Sequence, residues 1–519
     1  MGVEFQALTW EAVDTDDEHL ISIFGKTEDG KSVCVTTVFT PYFFIKLSER
    51  VTQQTVQEIY NFIDKKCPNC LVSFSVMKAK DVWGFQNNKE FMYMKLDFKN
   101  LGSRRRVDYF LKNPIQITSG TQRMKVFESN IDPVLRLMHR TGIQSTGWLK
   151  TGDNCVRSHL ARVDIDLFCN DCTTLKPVPR DDIAPFVVAS FDIECNSSTG
   201  KFPNPNVKED ACFQIAVSLC AFGNDEPYDK TCFCYKKTDS NLDGCTIVSF
   251  DTEREMLEAF QQYIHQKDID IMTGWNIFGF DLDYIYTRAF IVGCNPEFFK
   301  MGKLKSQECE ITVKKLSSSA LGDNVLKLLP MSGRFIFDMF HEVKKGYKLD
   351  SYSLNNVSKL YLGDQKIDMS PKEMFARYAE GDPIKLREVA EYCVKDTLLP
   401  HKLMKKMCIL LNLLEMAKAT WVPMCFLVER GQQIKVFSQL SKKAREMGFM
   451  IPTIRYGQLP EEQYEGATVL EAQKGAYYTP ITALDFEALY PSIMMAHNLC
   501  YSSYVMNEKD YGNIPGVTY

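Results

Sequence analysis

The stretch PFVVASFDIEC, residues 185–195, is an almost continuous apolar run closed by two acids. A run of that kind reads as a strand buried on both faces. It calls for a mixed sheet flanked by helices through the middle third of the chain. Side chains at i and i+2 share a face of a strand. Asp192 and Glu194 therefore project together, and Ile193 turns into the core. Like charges held that close repel, and the pair persists only with a cation or a proton between them. A strand end meeting solvent is the plain alternative.

The chain has 519 residues, too many for one core. At about 150 residues per domain, three or so domains are expected. The reading places a β-rich domain at 1–180, an α/β domain at 181–410 and the start of a third at 411–519. Apolar content of 45% and charge of 24% are ordinary for a globular protein. No run approaches the ~18 apolar residues of a membrane span. The N-terminus MGVEFQALTWEAVDTDDEH is acidic and mixed, unlike a secretory or transit signal. Gln6 stands where a myristoylation pattern wants Ser or Thr. An intracellular, non-secreted protein with no membrane partner is expected.

Of eighteen cysteines, Cys212, Cys220 and Cys408 lie in apolar runs and read as small core residues. The pairs Cys67/Cys70 and Cys169/Cys172 stand too far apart for a common zinc module. They read as two loops with free thiols in a reducing compartment. The net charge of −5 counts against a simple basic nucleic-acid binder. An active site built of carboxylates adds acid, however, while a separate groove holds the bases.

HLISIFG, SVCVTTVF, YFFIKL and KEFMYMKLDF alternate like strands. VTQQTVQEIYNFIDKK has helical spacing through Val51, Val56, Ile59, Tyr60 and Ile63. Arg104-Arg105-Arg106 reads as a solvated loop, with phosphate contact the alternative. Residues 172–186, with three prolines, read as a linker. MKKMCILLNLLEMAKATW and IKVFSQLSKKAREMG read as long helices.

Two further pieces carry acids. MTGWNIFGFDLDYIY brackets a turn with Asn276 and Asp281 after the apolar stretch IDIM. In GDPIKLREVAEYCVKDTLLP, Asp382 is a helix N-cap and Pro383 a first helical residue. Tyr392 and Asp396, at i and i+4, share one face of that helix. Each piece alone reads more simply as an ordinary loop or exposed helix edge. Together they make a cup of four carboxylates, which suits two divalent ions ~3.5–4 Å apart. Hard oxygen donors favour magnesium or manganese over zinc. The matching chemistry is in-line attack on a phosphodiester.

FDIEC, NIFGFD and YCVKD, in this order and spacing, closely resemble the three proofreading exonuclease motifs of family B DNA polymerases. LVERGQQIKVFSQL, YEGATVLEAQKGAYY and LDFEALYPSIMMAHNLCYSSY resemble the approach to the first polymerase motif of the delta-type branch. The resemblance covers most of the chain, less closely the first 180 residues. The short N-terminus is more similar to the enzymes of large double-stranded DNA viruses, such as those infecting algae.

The resemblance implies an α/β and α+β multidomain protein. It would hold a β-rich N-terminal domain, a ribonuclease H-like 3′–5′ exonuclease domain and an incomplete palm. Asp192, Glu194, Asp281 and Asp396 would bind two Mg2+ ions, with Mn2+ a substitute. Tyr392 would orient the attacking water, and Asn276 and Phe280 would hold the frayed 3′ end. Asp485 would be a polymerase metal ligand, with two ions at that site also. Leu489 and Tyr490 would meet the incoming dNTP, Tyr490 stacking beneath its sugar. Tyr464, Gly466 and Ala467 would help partition the primer. Ala488 stands where the family often has serine, at a position that is not a metal ligand. Primer–template DNA and dNTPs are the implied partners, and a sliding clamp through a C-terminal part. The site of action would be a host nucleus or a cytoplasmic replication site.

TALDFEALY reads as another strand ended by a carboxylate, and Asp485 needs a second carboxylate from a further strand. Neither a YGDTDS-like motif nor its preceding nucleotide-gripping helix follows Tyr490 within these residues. The expectation is an N-terminal portion of a polymerase that holds an exonuclease site and cannot itself polymerise. A self-standing exonuclease would have no use for the LDFEALYPSI segment. A non-catalytic DNA-binding scaffold would be expected to have lost one of the four acids.

Overall fold

The computed structural model describes residues 2–49, 51–118, 120–318, 322–364, 369–454, 466, 468–505, 513 and 515–516. The chain forms two compact units. One joins Met1–Phe39 to Asp132–Gln439, and the other joins Thr40–Ile131 to Leu440–Tyr519. These are not the consecutive segments of the linear reading. The β-rich first 180 residues are shared between both units, because their strands belong to two separate sheets.

In the first unit, a six-stranded sheet runs in the order Thr246–Phe250, Asp229–Tyr235, Cys212–Ala221, Val187–Cys195, Ile271–Thr273, Phe335–Ile336. The strand Val187–Cys195 is antiparallel to Cys212–Ala221 and parallel to Ile271–Thr273. It is buried along most of its length, as its apolar run requires. The helix Glu253–Gln266 opens with a reciprocal capping box between Thr252 and Glu255 and buries Met256, Leu257, Phe260 and Ile264. The helix Pro383–Lys406 lies across Val187–Cys195 and Cys212–Ala221. This is the mixed, helix-flanked sheet expected of the middle third of the chain.

A seven-stranded sheet of the same unit includes Glu4–Asp14, His19–Lys26 and Ser32–Val38. A buried ion cluster ties it to the first sheet. Lys26 and Lys303 each donate to Asp270, at 2.6 and 2.7 Å, and Asp270 also accepts the N–H of Val187. The second unit holds a five-stranded sheet with Leu71–Asp81, Glu90–Phe98 and Tyr42–Lys46 at its centre. The helix Gln53–Lys66 buries Val56, Ile59 and Ile63 against it, as its spacing predicts.

Several local expectations are corrected. Arg104–Arg106 lie in the helix Leu101–Phe110, and Arg104 is buried, donating to the Ile131 carbonyl at 2.8 Å. Residues 172–186 are not a free linker. Lys176–Val178 pairs with Trp148–Lys150, and Ala184 and Phe186 are core residues. Cys169 lies on a strand and is disulfide-bonded to Cys155, so it is not a free loop thiol. Cys408 is exposed with φ 52°, and it breaks the stretch 404–421 into two helices. TALDFEALY is not a strand: Ile481–Phe486 has no regular structure, and Leu489–Ala496 is helical. A strand exists only within a ladder, and no strand of the described residues pairs with this segment. No helix among the described residues is long and apolar enough to cross a membrane.

Candidate active site

Asp192 and Glu194 sit near the end of Val187–Cys195, paired in register with Ala216 and Gln214. Asp192 is half-buried and Glu194 buried. The helix Pro383–Lys406 brings Cys393 against them. Its Sγ lies 3.5 Å from the Asp192 carbonyl oxygen and 3.8 Å from Asp192 Oδ2. Asp192, Glu194 and Cys393 each offer a ligand atom within 4.8 Å of the others.

Two thiols report where the other acids lie. Burial pushes the Cys393 thiol well above its ordinary range, and the charges of Asp192, Glu194 and Asp396 add to the effect. Burial, then Cys212, then the charges of Glu194 and Asp281 do the same to Cys195. Glu194 is common to both sets, with Asp396 acting on the Cys393 side of it and Asp281 on the Cys195 side. Asp281 and Asp396 are each only 3% exposed. Buried acids so arranged need compensating positive charge. Their hard oxygens fit magnesium or manganese, and the spacing of Asp192 and Glu194 lets both reach one ion.

The loop between Ile271–Thr273 and the helix Asp281–Ile291 carries Asn276 and Phe280 and leads into Asp281, the first residue of that helix. It begins at Gly274, where a Cβ would lie 2.5 Å from the Phe191 carbonyl oxygen, so only glycine fits beside the central strand. Asn276 is left-handed, φ 67°, a conformation asparagine tolerates. Asp338 holds the loop. It is fully buried and accepts the N–H groups of Asn276 at 2.8 Å, Phe278 at 3.0 Å and Phe340 at 2.9 Å. Phe280 is half-buried and packs edge-on against the exposed Phe202, ring centroids 5.2 Å apart.

Phe202 belongs to the segment following Cys195, which Arg288 and Tyr284 fix. Arg288 donates to Glu253 and to the carbonyls of Pro205, Val207 and Lys208. The Tyr284 hydroxyl donates to the Asp210 carbonyl. Asp382 caps the closing helix by accepting from Ile384 and Lys385 N–H, as its sequence predicts. On that helix Tyr392 is half-buried and Asp396 buried, one turn apart.

Sequence reading passed over Asp338 and Cys393. RFIFDMF carries the same signal as PFVVASFDIE, an apolar strand running into an acid, but Cys393 looked like one more core thiol. Among the remaining predicted residues, Asp485, Leu489, Tyr490 and Gly466 are exposed and lie in the other compact unit. Tyr464 and Ala467 fall outside the described residues.

Residues 124–357 match the exonuclease domain of DNA polymerase family B, and residues 422–516 match DNA polymerase family B itself. The chain is 38% identical over 510 residues to a DNA polymerase of Paramecium bursaria Chlorella virus, covering 96% of this chain and 54% of that protein. It is 34% identical over 510 residues to the DNA polymerase delta catalytic subunit of Dictyostelium discoideum, covering 94% of this chain and 46% of that protein. The chain thus spans about half the length of the curated relatives it matches. Its fold is similar to the family B DNA polymerase of the archaeon Pyrobaculum calidifontis, with TM-score 0.68 and 18% identity, over 96% of this chain and 57% of that one. Two family matches, covering the acid-lined sheet end and the segment around Asp485, agree with the motifs read from the sequence: the chain belongs to DNA polymerase family B.

Proposed function

We propose that this chain is the proofreading and early polymerase part of a delta-type, virus-encoded DNA polymerase acting in viral DNA replication. Residues 181–410 are its 3′–5′ exonuclease domain, residues 1–180 its β-rich N-terminal part and residues 411–519 the beginning of its palm. The observation that carries the exonuclease reading is the pair Asp192 and Glu194 at the end of a buried strand, with the charges of Asp396 and Asp281 acting on the neighbouring thiols Cys393 and Cys195.

Those four carboxylates would hold two divalent ions, Mg2+ or Mn2+. Bound there, the ions supply charge stabilisation to a phosphodiester undergoing in-line attack. Tyr392, one helical turn before Asp396, orients the attacking water through its hydroxyl. Water displaces the 3′ oxygen of the penultimate nucleotide, and a deoxynucleoside monophosphate leaves. Phe280 stacks on the unpaired terminal base, and Asn276, pinned through its backbone by Asp338, hydrogen-bonds to the terminal nucleotide. Gly274 and Asp338 keep that loop in place before substrate arrives, so binding energy is not spent on ordering it. In the polymerase, Asp485 contributes a metal carboxylate, and Leu489 and Tyr490 line the dNTP site. Tyr464, Gly466 and Ala467 help partition the primer between the two activities.

The test is a 5′-labelled primer–template with a mismatched 3′ end, incubated with Mg2+ and the 519-residue chain. The expected result is shortening of the primer that an Asp192→Ala, Glu194→Ala double variant abolishes. Shortening that survives in the folded double variant would overturn the assignment. Parallel reactions with dNTPs report whether these residues extend a primer unaided.

A further inference from the structure

Magnesium sites in proteins are oxygen sites, because a hard, strongly hydrated ion gains little from sulfur. The carboxylate cup here has a sulfur in its wall. Cys393 is fully buried, and its Sγ stands 3.5 Å from the Asp192 carbonyl oxygen and 3.8 Å from Asp192 Oδ2. Ligand atoms of Asp192, Glu194 and Cys393 all fall within 4.8 Å of one another. Donors on a single zinc ion lie about 2.0–2.3 Å from it, so no two stand more than about 4.6 Å apart. The 4.8 Å spacing in the structure lies just outside that bound, so the donors close slightly on an ion.

The three side chains come from two elements that hold them firmly. Asp192 and Glu194 are on the central strand, paired in register with Ala216 and Gln214 on one side, and the strand is paired on its other side up to Ser190. Cys393 is on a helix anchored at its start by the Asp382 cap and packed at Leu386, Val389 and Ala390. The thiol is therefore presented to the carboxylates by the fold itself.

We propose that Asp192, Glu194 and Cys393 form a mixed oxygen–sulfur site that takes a thiophilic divalent cation, zinc or cadmium, and that its occupation blocks the carboxylates for magnesium. On binding, the Cys393 S–H bond breaks, its proton passes to solvent, and the sulfur lone pair forms the metal–sulfur bond. The ion is neither oxidised nor reduced. Soft ligands select such ions over magnesium, so low concentrations of the thiophilic ion compete with a large excess of the hard one. Only the inhibition rests on the exonuclease reading; the binding rests on the geometry alone.

The probe is cadmium, added to the 519-residue chain with the exposed Cys408 and Cys500 replaced by serine. Cadmium NMR separates a thiolate-plus-carboxylate ligand set from an all-oxygen one by chemical shift. The expected result is a mixed-ligand resonance that is lost in Cys393→Ala, with circular dichroism confirming that the variant is folded. The cadmium concentration that half-inhibits primer shortening in Mg2+ should rise in that variant by about tenfold or more. An all-oxygen resonance, or a mixed one that persists in folded Cys393→Ala, would overturn the proposal. If Cys393→Ala does not fold, Asp192→Asn replaces it, and the resonance must then shift or vanish; an unchanged line overturns the proposal. A mixed resonance in a chain that shortens no primer would sustain the metal site and reject the exonuclease reading. Shortening in Mg2+ with no mixed resonance would do the reverse.

Discussion

Asp338 shows what a single buried carboxylate does for the loop that carries Asn276 and Phe280 and leads into Asp281. Burial pushes its pKa up to about 7, although the N–H groups of Phe278, Asn276 and Phe340 pull the other way. In the unfolded chain the same group titrates near 3.8. A raised folded pKa gives stability that is complete below the unfolded value and is lost as pH rises through the folded one. Asp338→Asn does not titrate. The stability advantage of the parent over this variant in urea denaturation should therefore shrink between about pH 4 and about pH 7. A difference that grows with pH would reject the assignment. Asn keeps one oxygen acceptor but sets an amide N–H2 against backbone donors, so the loop loosens. The variant should be less stable by about 1–3 kcal/mol at its worst pH, and its exonuclease kcat should fall more than its KM rises.

Two buried ion clusters act on whole elements. Asp270 lies between Lys26 and Lys303, all three at most 3% exposed. Burial works against its ionisation, but Lys303 and Lys26 more than offset it, and the carboxyl is held below its ordinary value. Its contribution is present above the unfolded pKa of 3.8 and is lost as pH falls through the lower folded value. Asp270→Asn leaves the two buried ammonium groups with only the partly exposed Asp268, 2.9 Å from Lys303 and 3.9 Å from Lys26. It should destabilise the unit by about 3–5 kcal/mol near neutral pH and flatten the acid limb of its stability profile. Arg288 does comparable work for the segment after Cys195. Arg288→Met abandons Glu253 in the core and releases three carbonyls. Limited proteolysis should then cut within residues 196–210, where the parent resists, and a variant that resists equally would show that the segment is held by other contacts.

None of these tertiary partners was legible in the sequence, whereas the elements that carry the site mostly were. PFVVASFDIEC, the Asp382–Pro383 cap and the Tyr392/Asp396 spacing are local patterns, and local patterns survive without knowledge of neighbours. Asp270 reads as one acid in a DID stretch until Lys26 and Lys303 reach it from residues 244 and 33 positions away. Arg104 looked solvated because a basic triplet usually is. Its helix starts at an Asn100 cap, and the Ile131 carbonyl then accepts from its side chain. TALDFEALY failed for the opposite reason. Its alternation is genuine, but alternation only offers a strand, and a ladder must accept it.

At the scale of the molecule, each compact unit has its own hydrophobic core. Phe191, Ile215, Phe260 and Leu403 belong to one, and Phe43, Ile63, Leu96 and Phe98 to the other. Cooperative unfolding follows contiguous cores rather than chain continuity, and chains with more than one core commonly depart from two-state behaviour. Thermal unfolding should therefore show two transitions. Each unit also offers a buried carboxylate with which to label its transition. Asp270 serves the first. In the second, Asp81 is buried, accepts from Lys46 at 2.7 Å and accepts the N–H of Trp83 at 3.0 Å. Asp270→Asn should lower one transition and leave the other in place, and Asp81→Asn should do the converse. The two variants together should then shift both transitions additively, since sites that share no partners rarely couple. If either variant moved both transitions equally, the two cores would be unfolding as one cooperative body, and the division at Phe39/Thr40, Ile131/Asp132 and Gln439/Leu440 would have no energetic meaning.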